Sequence, residues 1–138
     1  MNTYNINDES FKNSDEYQNF LKENPGIGYL RIRASAAGGA IPISGLQVSI
    51  SKNIDNDKVV FFEGATDISG LIEGIALPAP TINTDNMMSP TSTVYNITAT
   101  YEPDKAVQLY SVKIYENLYV VQNISIVPDI QRGGLNWQ

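Results

Sequence analysis

Carboxylates are the groups in this chain most able to do chemistry, because it has neither histidine nor cysteine. Glu63, Asp67 and Glu73 are the kind of residue a histidine-free hydrolase would use. A glycosidase pair must face each other within about 10 Å across a cleft, and the spacing of these three does not place them so. Asn53, Asp55 and Asp57 alternate like the opening of a calcium loop. An EF-type loop also needs Gly at its sixth position and Glu at its twelfth, where Lys58 and Gly64 stand. The segment therefore reads as a solvated hairpin turn. Without histidine or cysteine, a Ser-His-Asp triad, a Cys-His dyad and an ordinary catalytic zinc site are excluded. The expectation is no catalysis, no metal and no cofactor.

Binding chemistry is better represented. Tyr29, Arg31 and Arg33 alternate and so share one face of a strand. Guanidinium forks and aromatic faces suit a carboxylate-rich partner or a sugar, although an exposed sheet face with cross-strand pairs has the same composition. Tyr115 and Tyr119 flank the Glu116-Asn117 turn and extend a Tyr-rich end. Tyr4, Ile6 and Phe11 near one terminus, with Leu135 and Trp137 near the other, are apolar groups in otherwise polar arms. Such arms can complete the edge strand of a neighbour. They are expected to contact a second copy or a particle partner, unless they fold back on their own domain. Asn96-Ile97-Thr98 and Asn123-Ile124-Ser125 match the glycosylation pattern but fall inside predicted strands, and are read as chance matches.

The 138 residues suit one domain with a self-sufficient core. A net charge of −6 argues against nucleic acid and anionic membrane as partners, since both are gripped by Lys and Arg. No apolar run approaches the ~20 residues of a membrane helix. The polar start lacks the basic and apolar regions of a secretory signal, so the expectation is synthesis in the cytoplasm and association with a particle or spore.

Alternating apolar residues between Gly, Pro, Asn and Asp turns predict seven strands. They are Gly28–Ser35, Leu46–Lys52, Lys58–Gly64, Leu71–Leu77, Val94–Tyr101, Ala106–Tyr115 and Leu118–Val127. A short helix over Ser14–Glu23 precedes them, capped by Ser14 and ended by Pro25-Gly26. Leu30, Ile32, Leu46, Val48, Ile50, Ile97, Ala99, Val112, Ile114, Ile124 and Ile126 are the expected inner faces. The fold class is all-β: a seven-stranded antiparallel Greek-key sandwich with a short N-terminal helix. Residues 1–13 form an arm, 14–128 the domain and 129–138 a tail.

Two blocks carry a family resemblance: Ala40-Ile41-Pro42-Ile43-Ser44-Gly45-Leu46-Gln47-Val48, and Thr66-Asp67-Ile68-Ser69-Gly70 leading to Leu77-Pro78-Ala79-Pro80. Strand, x-Pro-x-x-Gly turn, strand, Thr-Asp-x-x-Gly turn and Leu-Pro exit follow in the order of the carboxypeptidase regulatory-like, or transthyretin-like, β-sandwich family. The chain resembles that family from about Gly28 to Pro128. The resemblance implies a sandwich that is usually non-catalytic and that braces enzymes, binds carbohydrate or builds surface and particle structures. Related enzymes, the hydroxyisourate hydrolases and intradiol dioxygenases, rely on histidines that are absent here. Similar modules precede the hydrolases of Gram-positive spore cortex-lytic proteins, with a comparable Leu-Pro-Ala-Pro. Isopeptide-forming sandwiches are architectural relatives. In this chain the first strand offers Arg31 and Arg33, which are no amine nucleophile, and no lysine evidently faces Asn123.

The leading expectation is a structural or assembly subunit of a bacterial or phage particle or surface layer. The alternatives are a solitary glycan- or protein-binding module and a cell-wall lysis accessory.

Overall fold

The computed structural model describes residues 2–82, 91–102 and 106–127. The elements, in chain order, are β1 (Thr3–Asn5), α1 (Glu9–Lys12), α2 (Asp15–Glu23), β2 (Gly26–Ala36), β3 (Ile41–Pro42), β4 (Gln47–Ile54), β5 (Asp57–Ala65), β6 (Leu71–Ala79), β7 (Thr93–Tyr101), β8 (Ala106–Ile114) and β9 (Tyr119–Ser125). They form a two-layer β-sandwich. The larger sheet has the order β1-β5-β4-β7-β8, and the smaller is built on β2, with β6 and the short β3 on one side and β9 on the other. The chain changes layer after β1, β3, β5, β6 and β8, the winding expected of a Greek-key sandwich.

The expected inner faces are the observed core. Leu30, Ile32, Leu46, Val48, Ile50, Ile97, Ala99, Val112, Ile114, Ile124 and Ile126 are all buried, with Tyr95 the largest fully enclosed side chain. Tyr95 donates to the Pro78 carbonyl at 2.5 Å, and burial pushes its hydroxyl pKa well above the usual range. Ser14 caps α2 by accepting from the Tyr17 amide at 3.2 Å.

Three expectations need correction. Among the described residues there are nine strands, not seven, because β1 and β3 are short segments held by long-range pairing. The sandwich is not wholly antiparallel: β9 runs parallel to β2, and β1 parallel to β5. Residues 2–13 are not an arm separate from the sandwich. β1 completes the β5 edge, and an additional helix, α1, folds Phe11 inward to 2 % exposure. An aromatic series then runs Tyr4, Phe11, Tyr17, Phe20, Phe61 and Tyr95, with neighbouring ring centroids 5.0–6.4 Å apart. Burying these rings outweighs leaving them on a solvated arm.

The two turn blocks singled out in the sequence meet at one end of the sandwich. The buried Thr66 hydroxyl accepts from the Leu46 amide at 3.0 Å and donates to the Ile43 carbonyl at 2.7 Å. Asp67 accepts from the Ser69 and Leu71 amides, closing the turn at Gly70. Gly70 has φ +77°, and a Cβ there would lie 2.4 Å from the Ala34 carbonyl oxygen. The motif is thus a clip between layers. Thr66→Val keeps the side-chain shape but leaves a buried amide and a buried carbonyl unpaired. A loss of about 1–3 kcal/mol is expected, to be read from urea unfolding midpoints.

Candidate binding face on the smaller sheet

β2 is flanked on both sides, so its outward side chains stand in rows with those of β6 and β9. Tyr29 lies between Ala76 and Tyr119, Arg33 between Leu71 and Asn123, and Ser35 between Pro42 and Ser125. Arg31 opposes Val121 on β9. On the β6 side the register shifts between Leu30 and Ile32, and Arg31 makes an ion pair with Glu73. Both partners are about half exposed, so the pair contributes at most about 1 kcal/mol and mainly fixes the guanidinium.

The Tyr29 and Tyr119 rings stack with centroids 4.8 Å apart and planes 18° apart. Tyr119 is 76 % exposed, and Ile27, Leu118 and Val121 are each about half exposed. A shallow concavity of about 260 Å³ lies beside this pair, lined by Arg31, Glu73, Gly74, Tyr119 and Val121. A second, about 370 Å³, is lined by Arg33, Ser35, Gly38, Gly39, Asn123 and Ser125. Each is centred on residues of β2, the strand of this sheet that is paired on two sides.

The structure brings together Tyr29, Arg31, Arg33 and Tyr119 from the candidate residues. It places Tyr4, Ile6 and Phe11 elsewhere, packed in or against their own core. Tyr115 is half-buried at the turn into β9 and is not part of the Tyr29–Tyr119 stack; its carbonyl packs against β2 at Gly28. Trp137 and Leu135 lie outside the described residues. Val121, Asn123 and Ser125 were missed as contributors, though their alternation with the buried Ile124 and Ile126 marks them as outward.

The carboxylates do not converge. Glu63 is exposed opposite Ser49 in the larger sheet, Asp67 closes its turn, and Glu73 pairs with Arg31 on the smaller sheet. Asp55 and Asn56, with φ +47° and +72°, form the tight turn joining Ile54 to Asp57, the hairpin expected in place of a calcium loop. Among the described residues no three potential metal ligands gather, and no helix is long and apolar enough to cross a membrane. Lys52, the lysine with a displaced pKa, is lowered by burial. It donates to the Val94 carbonyl at 3.0 Å and sits over the Tyr95 ring, remote in register from the Tyr-Arg rows.

No family model matches the chain, and no curated protein does. Among solved structures, a transthyretin from Sparus aurata is similar to it, with 12 % identity and a TM-score of 0.46, covering 70 % of this chain and 90 % of that one. A likeness of this size adds nothing to what the strand order already establishes.

Proposed function

We propose that the protein is a non-catalytic binding module of a surface or particle assembly, and that the outer face of the smaller sheet holds a saccharide chain. The observation that carries this reading is the Tyr29–Tyr119 pair, which keeps one ring largely open to solvent beside a groove that carries Arg31 and Glu73. A sugar ring has a weakly apolar C–H face and a polar rim. It is held by an aromatic face together with fixed donors and acceptors, and this sheet presents both. Dispersed carboxylates and the missing histidine support binding without turnover.

The test is titration of a panel of neutral and acidic oligosaccharides followed by amide chemical shifts or calorimetry. Binding is expected to perturb Tyr29, Val121 and Asn123, and Tyr119→Ala is expected to weaken it by about tenfold or more. Binding that is unchanged in Tyr119→Ala, or perturbations confined to the larger sheet, would refute the assignment.

A second reading, self-assembly, is favoured by a different observation. β1 covers one edge of the larger sheet, whereas β8 is the terminal strand at the other, with Val107 and Leu109 58 % and 75 % exposed. An edge strand of this kind can pair with a second copy. If it does, sedimentation at rising concentration shows a dimer that Leu109→Lys returns to monomer.

A further inference from the structure

We infer that the concavity at Arg33 is a subsite for the carboxylate of an acidic sugar, an inference that rests on the saccharide reading of this face. Two arginines alternate on β2 and their surroundings differ. Arg31 is neutralised by Glu73, whereas Arg33 has no carboxylate partner among the described residues. Among the described residues, the concavity around Arg33 is lined by no acidic side chain. It is lined by Ser35, Asn123 and Ser125, whose side chains can all hydrogen-bond, and by the Gly38-Gly39 turn. In a chain of net charge −6, this is a locally positive, hydrogen-bonding hollow. It suits a planar carboxylate, which a guanidinium fork grips through two parallel bonds.

The rim is kept open by backbone conformation. Ala37, Gly38 and Gly39 have φ values of +53°, +66° and +97°, and a Cβ on either glycine would meet nothing within 4 Å. The turn borders the hollow beside Arg33 and Asn123, which are register neighbours.

The hollow also lies in line with the aromatic pair. Arg33 lies four positions along β2 from Tyr29, about 13 Å at the rise of a strand, and Val121 and the Arg31–Glu73 pair occupy the row between. One chain lying along β2 meets the aromatic face first and the cation afterwards. That continuity favours an acidic saccharide over an acidic peptide, for which the open Tyr119 ring has no role.

The experiment compares an oligogalacturonate with the same oligosaccharide carrying methyl-esterified carboxyls, by calorimetry at low salt, on the wild-type chain and on Arg33→Gln. The wild type is expected to bind the acid about ten- to a hundredfold more tightly than the ester. Arg33→Gln is expected to bind both alike, at the ester's affinity. Added salt is expected to narrow the wild-type difference. Equal wild-type binding of acid and ester overturns the carboxylate subsite while leaving the saccharide reading intact. Binding of neither at millimolar concentration overturns the subsite; if the wider panel is also not bound, the saccharide reading falls with it. An oligoglutamate peptide that binds as tightly as the acid, and loses its binding in Arg33→Gln, overturns the assignment to a sugar. Arg33→Gln lies on an exposed face, and an unchanged unfolding midpoint shows that any lost binding is local.

Discussion

Phe11→Ala is expected to destabilise the protein by about 3–5 kcal/mol, the usual cost of truncating a buried phenylalanine. Phe11 is 2 % exposed, and its ring lies 5.0 Å from that of Tyr4 and 5.2 Å from that of Tyr17. Truncation leaves a void between β1, α1 and α2 and removes one ring from the aromatic series that joins them to Phe61 and Tyr95. Small domains have about 5–15 kcal/mol of stability in total, so the urea midpoint falls substantially. The contrasting expectation belongs to an arm reserved for a neighbour: there the midpoint of the isolated chain moves by under about 0.5 kcal/mol, while the assembled mass drops. Equilibrium unfolding and sedimentation on the same variant separate the two. A small stability change would mean that the N-terminal segment is not part of the core.

Gly28→Ala is expected to be as damaging, for the opposite reason. A Cβ on Gly28 would fall 2.2 Å from the Tyr115 carbonyl oxygen and 2.6 Å from Ile114 Cγ2. The first of these is backbone at the exit of β8 and cannot rotate aside. Neither can β2, which is paired on both sides and anchored by the fully buried Leu30 and Ile32. Overpacking a core by a methyl commonly costs 1–3 kcal/mol. With a backbone atom in the way, a loss of about 3 kcal/mol or more is expected, seen as a sharp fall in thermal midpoint or in soluble yield. Gly74→Ala is the control. Gly74 has φ +70°, but a Cβ there meets nothing within 4 Å, so its cost is limited to the left-handed backbone, about 1–2 kcal/mol. If Gly28→Ala proves milder than Gly74→Ala, the close approach of the β8–β9 turn to β2 is not as described.

The proposed binding face joins these structural points to function. The close packing at Gly28 brings the β8–β9 turn against β2: the Tyr29 amide donates to the Leu118 carbonyl at 3.0 Å, and the Asn117 amide to the Ile27 carbonyl at 2.8 Å. That docking starts β9 in register with β2 and sets Tyr119 on Tyr29. The stacked pair and the Arg33 hollow therefore depend on the same long-range contact.

Local pattern alone determined a good deal. The two-residue alternation around Leu30 and Ile32, Val48 and Ile50, and Ile97 and Ala99 fixed which side chains go inward, because neighbouring residues of a strand face opposite sides wherever that strand is placed. The same rule put Tyr29, Arg31 and Arg33 on one outward strip, and the lack of histidine and cysteine limited the chemistry before any fold was known. What alternation could not supply was the partner of each strand. Tertiary structure decided that β9 runs parallel to β2, which turned a tyrosine about ninety residues away into a stacking neighbour and put Asn123 beside Arg33. Tertiary structure also decided that Phe11 is core and that Tyr4 and Ile6 pack against it, instead of forming an arm. Three residues of β1 have too few apolar neighbours to declare themselves as a strand, and only the otherwise unfilled edge of β5 and the aromatic rings of α2 make this packing favourable.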